Sequence, residues 1–172
     1  MARALIVGCG CRGRDLGGRL LTAGWAVRGT SRREEGLAPI AAAGIEPVLA
    51  DPDRPGTLLE LVGDVAVLVL LLGSATGAAE AVSAIHGPRL ERVLEHLVET
   101  PVRGVVYEAA GSVDDAVLRG GAEAVRAAAR RWRIPVEVVE EAPASPGRWC
   151  ERMEAAVAAV LTGRYDERAK LR

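Results

Sequence analysis

RALIVGCGCRG, residues 3–13, is a short apolar run feeding directly into a G-x-G-x-x-G turn. Ala4 to Val7 has the composition of a buried strand, and Gly8, Gly10 and Gly13 follow it without a gap. Leu16, Leu20 and Leu21 then fall on one face of a helix that Gly24 is placed to end as a C-terminal cap. With 20 glycines in 172 residues, an isolated match would say little; one set between a strand and a helix carries weight. Each glycine has a separate reason to be there. Gly8 serves a tight turn, Gly10 lets a phosphate approach the backbone, and Gly13 lets the helix pack on the strand. The amides of Cys11 and Arg12 then face the anion, which the positive end of the helix dipole also favours.

Outward from this turn, short runs rich in Val, Ile and Leu alternate with stretches of helical periodicity, the pattern of repeated βαβ units. The strands are expected at Ala4–Val7, Ala26–Thr30, Glu46–Ala50, Ala66–Leu71, Gly104–Glu108 and Val136–Val139. Runs this continuous are expected to be buried on both faces. Helical stripes follow at Leu90, Val93, Leu94 and Leu97 within Pro88–Glu99, at Leu118, Ala122, Val125, Ala129 and Trp132, and at Trp149, Met153, Ala156, Val157 and Val160. The pattern predicts an α/β chain. Its fold is a three-layer, doubly wound Rossmann fold with a six-stranded parallel sheet in the order 3-2-1-4-5-6 and a C-terminal helix. Residues 1–172 are expected to form a single NAD(P)-binding domain, with Arg164–Arg172 as a frayed terminus.

The end of the second strand selects the cofactor. An Asp or Glu roughly 20 residues beyond the motif would bind the ribose 2′-hydroxyl of NAD. Residues 28–33 read RGTSRR instead, and Ser31, Arg32 and Arg33 suit a 2′-phosphate through charge-assisted hydrogen bonds. NADP(H) is therefore the preferred cofactor and NAD(H) the alternative, with Glu34 and Glu35 as competing partners for the arginines.

Three segments carry a family resemblance: ALIVGCGCRGRDLGGRLLTAGWAVRGTSRR, AGIEPVLADPDRPGTL and VLVLLLGSATG. They resemble the NAD-dependent epimerase/dehydratase branch of the short-chain dehydrogenase/reductase superfamily, in particular its small atypical members. The resemblance implies Asp51 beside the adenine, and Leu72 and Gly73 along the cofactor ribose. It also implies a catalytic Tyr-x-x-x-Lys pair, from which this chain departs: Tyr107 and Tyr165 are followed four residues later by Gly111 and Ala169, and Lys170, its only lysine, lies in the tail. The Ser/Thr-rich segment expected after the fifth strand reads Glu108-Ala109-Ala110-Gly111-Ser112-Val113, and few residues follow the sixth strand where a substrate domain would normally stand. The expectation is a dinucleotide-binding sensor or partner subunit without the usual chemistry. Two alternatives stand beside it. One is an oxidoreductase or epimerase-like enzyme with non-standard groups such as Tyr107 or Glu108. The other is an interaction module that binds no dinucleotide and dimerises through the Leu90–Leu97 face.

Lys and Arg number 22 against 23 Asp and Glu, so no basic field draws nucleic acid or anionic membrane. The longest apolar run, Val65 to Leu72, is far short of the roughly 20 residues that span a bilayer, and a cytoplasmic protein is expected. Three cysteines make no disulfide framework. Cys9 and Cys11 suit the turn as small residues, and no His or Cys cluster suggests a metal. Asp114 and Asp115 read as helix caps, His86 and His96 have no nucleophile arranged around them, and a homodimer or partner protein remains open.

Overall fold

A computed structural model describes residues 1–163 of the chain. Tyr165, Ala169, Lys170 and the charged Arg164–Arg172 segment lie outside the described residues.

The elements follow one another as β1 (Arg3–Val7), α1 (Cys11–Thr22), β2 (Ala26–Ser31), α2 (Leu37–Ala42), β3 (Glu46–Leu49), α3 (Pro55–Leu59), β4 (Val67–Leu70), α4 (Ala79–Ile85), α5 (Pro88–Leu97), β5 (Gly104–Glu108), α6 (Asp115–Trp132), β6 (Val136–Val139) and α7 (Pro146–Thr162). A single 3₁₀ turn, Glu34–Gly36, leads into α2. All six strands are parallel, in the order β3-β2-β1-β4-β5-β6, as the sequence pattern predicts. The winding reverses between β1 and β4, which opens a crevice at the carboxyl ends of those strands.

Alternate side chains along β1, β4 and β5 enter different cores. Leu5, Val7, Leu68, Leu70, Val105 and Tyr107 pack on one face beneath α3, α5 and α6; Ala4, Ile6, Val67, Val69 and Val106 pack on the other against α1 and α7. Two buried faces explain why β1, β4 and β5 read as unbroken apolar runs. Each fully buried Leu, Ile or Val contributes about 1.5–3 kcal/mol.

β3 departs from the expectation of two buried faces. Glu46, Pro47 and Leu49 are exposed and Val48 is half-buried. β3 is an edge strand paired only with β2, and an edge tolerates both the proline and the polar surface. The Leu90–Leu97 face also departs from its alternative role in dimerisation: Leu90, Val93, Leu94 and Leu97 are all buried in the chain's own core. Trp149 is fully buried, and Trp132 packs partly buried against the opposite core.

The local signals for helix ends hold. Gly24 takes φ +89° after α1, where an L side chain would be strained. Asp114 caps α6 by accepting from the Ala116 amide at 2.9 Å. Among the described residues no helix is long and apolar enough to cross a membrane, and no cluster of His, Cys, Asp or Glu is arranged to hold a metal.

Candidate functional site

β1 leads into a reversal at Gly8, φ +82°, where a Cβ would lie 2.5 Å from the Leu71 carbonyl oxygen. The Gly8 amide donates to Thr30 Oγ1 at 3.2 Å and the Cys9 amide to the Thr30 carbonyl at 2.9 Å, tying the turn to the end of β2. A Cβ on Gly13 would stand 3.3 Å from the Gly8 carbonyl, so α1 rests on its own turn. Gly10 differs from both: a Cβ there meets nothing within 4 Å. It is the N-cap of α1 and has no side chain to cap with, and the amides of Cys11, Arg12 and Gly13 have no acceptor among the described residues. Helix-start amides of this kind are completed by a cap, by water or by an anion. The turn therefore fits a phosphate-bearing group. Cys9 is buried, and burial pushes its thiol up to about 11, so it stays protonated at neutral pH.

The turn opens onto a cavity of about 410 Å³. Its other walls come from Thr30–Arg32 at the end of β2, from Asp51–Asp53 after β3, from Leu71, Leu72 and Ser74–Gly77 after β4, and from Ala81, Val82 and Ile85 of α4. Arg32 reaches across the rim and donates to the Thr76 carbonyl at 3.2 Å. Ser31 lines the wall, but its hydroxyl donates to the Arg33 carbonyl at 2.7 Å and accepts from the Arg33 amide at 3.1 Å. Arg33 does not line the cavity. Asp51 does, and its Oδ1 accepts from the Asp53 amide at 3.0 Å. Arg28 lies toward the other end of β2, bonded to Asp64 at 2.9 Å and to the Leu61 carbonyl at 2.7 Å; its guanidinium holds the Asp64 carboxyl below the usual range. Among the described residues neither Glu34 nor Glu35 pairs with Arg32 or Arg33.

Toward β5 the crevice closes at Gly73. Gly73 is not a cavity wall: its amide donates to Glu108 Oε1 at 3.0 Å, and a Cβ on it would lie 2.1 Å from the Ala110 carbonyl oxygen. Glu108 is completely buried at the end of β5. Its Oε2 accepts from Arg12 Nη1 at 2.6 Å and from the Trp149 indole N–H at 2.9 Å. The Arg12 guanidinium sits 5.0 Å from the centre of the Trp149 ring and donates to Ser74 Oγ at 3.3 Å. Burial raises the Glu108 carboxyl above its ordinary value, opposed by Arg12 and the two other donors. All three partners only donate, so the arrangement is built for a carboxylate.

Tyr107 points into the opposite core, fully buried, with its hydroxyl 2.6 Å from His86 Nδ1. His86 Nε2 lies 3.0 Å from the Leu72 carbonyl, which can only accept. The proton is therefore on Nε2, and the Tyr107 hydroxyl donates to Nδ1. Burial lowers the His86 pKa and raises that of Tyr107. Neither Tyr107 nor Glu108 reaches the cavity. Sequence did not pair His86 with Tyr107. The one available signal was that a buried tyrosine needs a hydrogen-bond partner, without indicating which.

No protein-family model and no curated protein sequence matches the chain. Among solved structures, UDP-glucuronic acid 4-epimerase from Bacillus cereus in complex with NAD is similar at TM-score 0.67 and 13% identity, covering 81% of this chain and 55% of that one. The chain is structurally similar to NAD-dependent epimerase/dehydratase members of the short-chain dehydrogenase/reductase superfamily. UDP-glucose 4-epimerase from Thermotoga maritima, with UDP-glucose, gives TM-score 0.66 and 10% identity over 79% of this chain and 54% of that one. A short-chain dehydrogenase/reductase superfamily protein from Agrobacterium tumefaciens with bound NAD gives 0.65 and 19% over 79% and 48%. These likenesses bear out the doubly wound Rossmann fold expected from the sequence, and the chain spans about half the length of the solved chains it matches.

Proposed function

We propose that this chain is a cytoplasmic NADP(H)-binding protein that acts as a cofactor-dependent sensor or partner subunit rather than a stand-alone dehydrogenase. One observation carries the reading: three acceptor-less amides at the start of α1, beside a glycine facing open space, border a cavity whose rim holds Arg32. In this reading Gly8, Gly10 and Gly13 shape the cradle, and the amides of Cys11 and Arg12 hold the pyrophosphate. Arg32 takes the 2′-phosphate, with Ser31 and Arg33 supporting that turn, while Asp51 borders the adenine and Leu72 the ribose. A bound dinucleotide supplies hydride chemistry. Tyr107 and Glu108, the candidates for proton transfer, are buried and bonded away from the cavity, which speaks against an oxidoreductase built on them.

Calorimetric titration with NADPH and NADH, on the wild type and on Arg32→Ala, tests the reading. NADPH is expected to bind tighter. The variant is expected to lose about tenfold of that affinity, about 1.4 kcal/mol, with NADH binding unchanged. No heat with either nucleotide removes the function, and robust NADPH-linked turnover of a carbonyl compound would exclude the sensor role.

A further inference from the structure

On the dinucleotide reading above, we infer that the site recognises only the adenosine, its 2′-phosphate and the pyrophosphate. The redox ring stays outside, and oxidised, reduced and ring-less ligands bind alike.

The cavity is one-sided. Its walls are the turn after β1, the end of β2, the turn after β3, the segment after β4, and α4; β5, β6, α6 and α7 contribute no wall. A doubly wound sheet has two halves flanking its switch point, and a dinucleotide lies across both. Here the opening reaches into the second half only as far as the segment after β4 and α4. The cavity volume of about 410 Å³ is at the small end of the roughly 300–1,000 Å³ range of ligand pockets.

From the exit of β5 onward the second half is shut by the chain itself. After β4 and β5 the two strand exits are joined directly. The Val113 amide donates to the Gly73 carbonyl at 3.0 Å, the Ser112 amide to Ser74 Oγ at 3.3 Å, and the Gly73 amide to Glu108 at 3.0 Å. The two segments are so close that a Cβ on Gly111 would lie 2.0 Å from the Gly73 carbonyl oxygen. Arg12, which could otherwise reach into this space, is committed to Glu108 and Ser74 beside Trp149. Admitting a ring between these exits would require breaking the partly buried Arg12–Glu108 ion pair and its supporting hydrogen bonds. Gly111 and Ser112 are exposed there above the half-buried Ala109 and Ala110, and a ring lying over them keeps most of its contact with water.

Two consequences follow for recognition. An unburied ring adds little to affinity, because the hydrophobic gain scales with the area removed from water. The positive charge that separates the oxidised ring from the reduced one is then screened by solvent and salt. The protein thus responds to the amount of phosphorylated cofactor and not to its redox ratio.

The test uses the full-length wild-type chain and calorimetric titration with NADP⁺, NADPH and 2′-phospho-ADP-ribose, run beside NAD⁺, NADH and ADP-ribose. Within each series the three dissociation constants are expected to agree within about threefold. Fluorescence of bound NADPH is expected to keep the emission maximum of the free nucleotide. Weaker binding of the ring-less compound beyond that margin, a larger gap between oxidised and reduced forms, or a blue-shifted, enhanced NADPH emission overturns the inference while leaving the dinucleotide reading intact. Failure of all six compounds to bind overturns the dinucleotide reading itself.

Discussion

On the β1–β2 side of the crevice, the amides of Cys11, Arg12 and Gly13 have no acceptor among the described residues, and Gly10 faces open space. On the β4–β5 side, the buried Glu108 carboxylate is bonded to a guanidinium, an indole and a backbone amide, and the strand exits are hydrogen-bonded to each other. The contrast separates a binding surface from a structural joint. Polar groups left unpaired at the mouth of a cavity can be completed by a ligand, whereas a fully paired buried network only holds elements together. Glu108 at the carboxyl end of a parallel strand reads as a catalytic candidate in sequence, and its partners make it the joint of the closed side.

The largest expected effect tests that joint. Glu108→Ala leaves Arg12, the Gly73 amide and the Trp149 indole without their acceptor, and breaking a buried pair from one side costs about 3–5 kcal/mol. Urea unfolding reads the loss directly. A midpoint equal to wild type would mean that the network contributes no stability and that the comparison is wrong on its closed side.

A pair of glycine variants sharpens the open side. Gly8→Ala is expected to destabilise by about 1–3 kcal/mol, since it combines φ +82° with a carbonyl oxygen 2.5 Å from the new Cβ. Gly10→Ala meets no atom within 4 Å and is expected to leave the unfolding midpoint nearly unchanged, within about 0.5 kcal/mol. Its methyl group would nonetheless project into the space assigned to phosphate, and NADPH affinity is expected to fall at least about tenfold. Unimpaired nucleotide binding by Gly10→Ala would move the ligand elsewhere.

The smallest effect concerns His86, which anchors the Leu72 wall from below. Burial holds its pKa under the ordinary 6.5, whereas the unfolded chain protonates it at that ordinary value. The unfolded state therefore binds more protons below about pH 6.5. The contribution of His86 is fully present above that pH and is lost as the pH falls toward the depressed folded value, by at most about 1.4 kcal/mol per pH unit. His86→Gln is expected to flatten this limb in urea midpoints taken between pH 7 and 5. An equal slope in the variant would assign the acid loss to other groups.

Much of the open side was legible because it is local. The strand, the glycine turn and the helix occupy consecutive residues, and each glycine's role follows from backbone geometry that the turn imposes. The same holds for Asp114 at the start of α6 and for Gly24 after α1. The short helices α2, α3 and α4 escaped notice because five to seven residues carry too little periodicity. Among the arginines of β2 and its turn, the sequence could not tell Arg32 at the rim from Arg28 in an ion-pair cluster at the far end of the strand. Nor could it show that the Ser31 hydroxyl serves its own turn.

The sequence by itself determined the α/β class, the strand order and the glycine-rich turn, because βαβ patterning and glycine spacing act over short stretches of chain. Only the tertiary structure decided how far along the strand ends the crevice is open. Arg12 and Glu108 are 96 residues apart, Glu108 and Trp149 41, and His86 and Tyr107 21. Parallel strands joined by crossover helices bring such residues together at the strand ends, where their pairing depends on how the elements pack and not on any spacing along the chain.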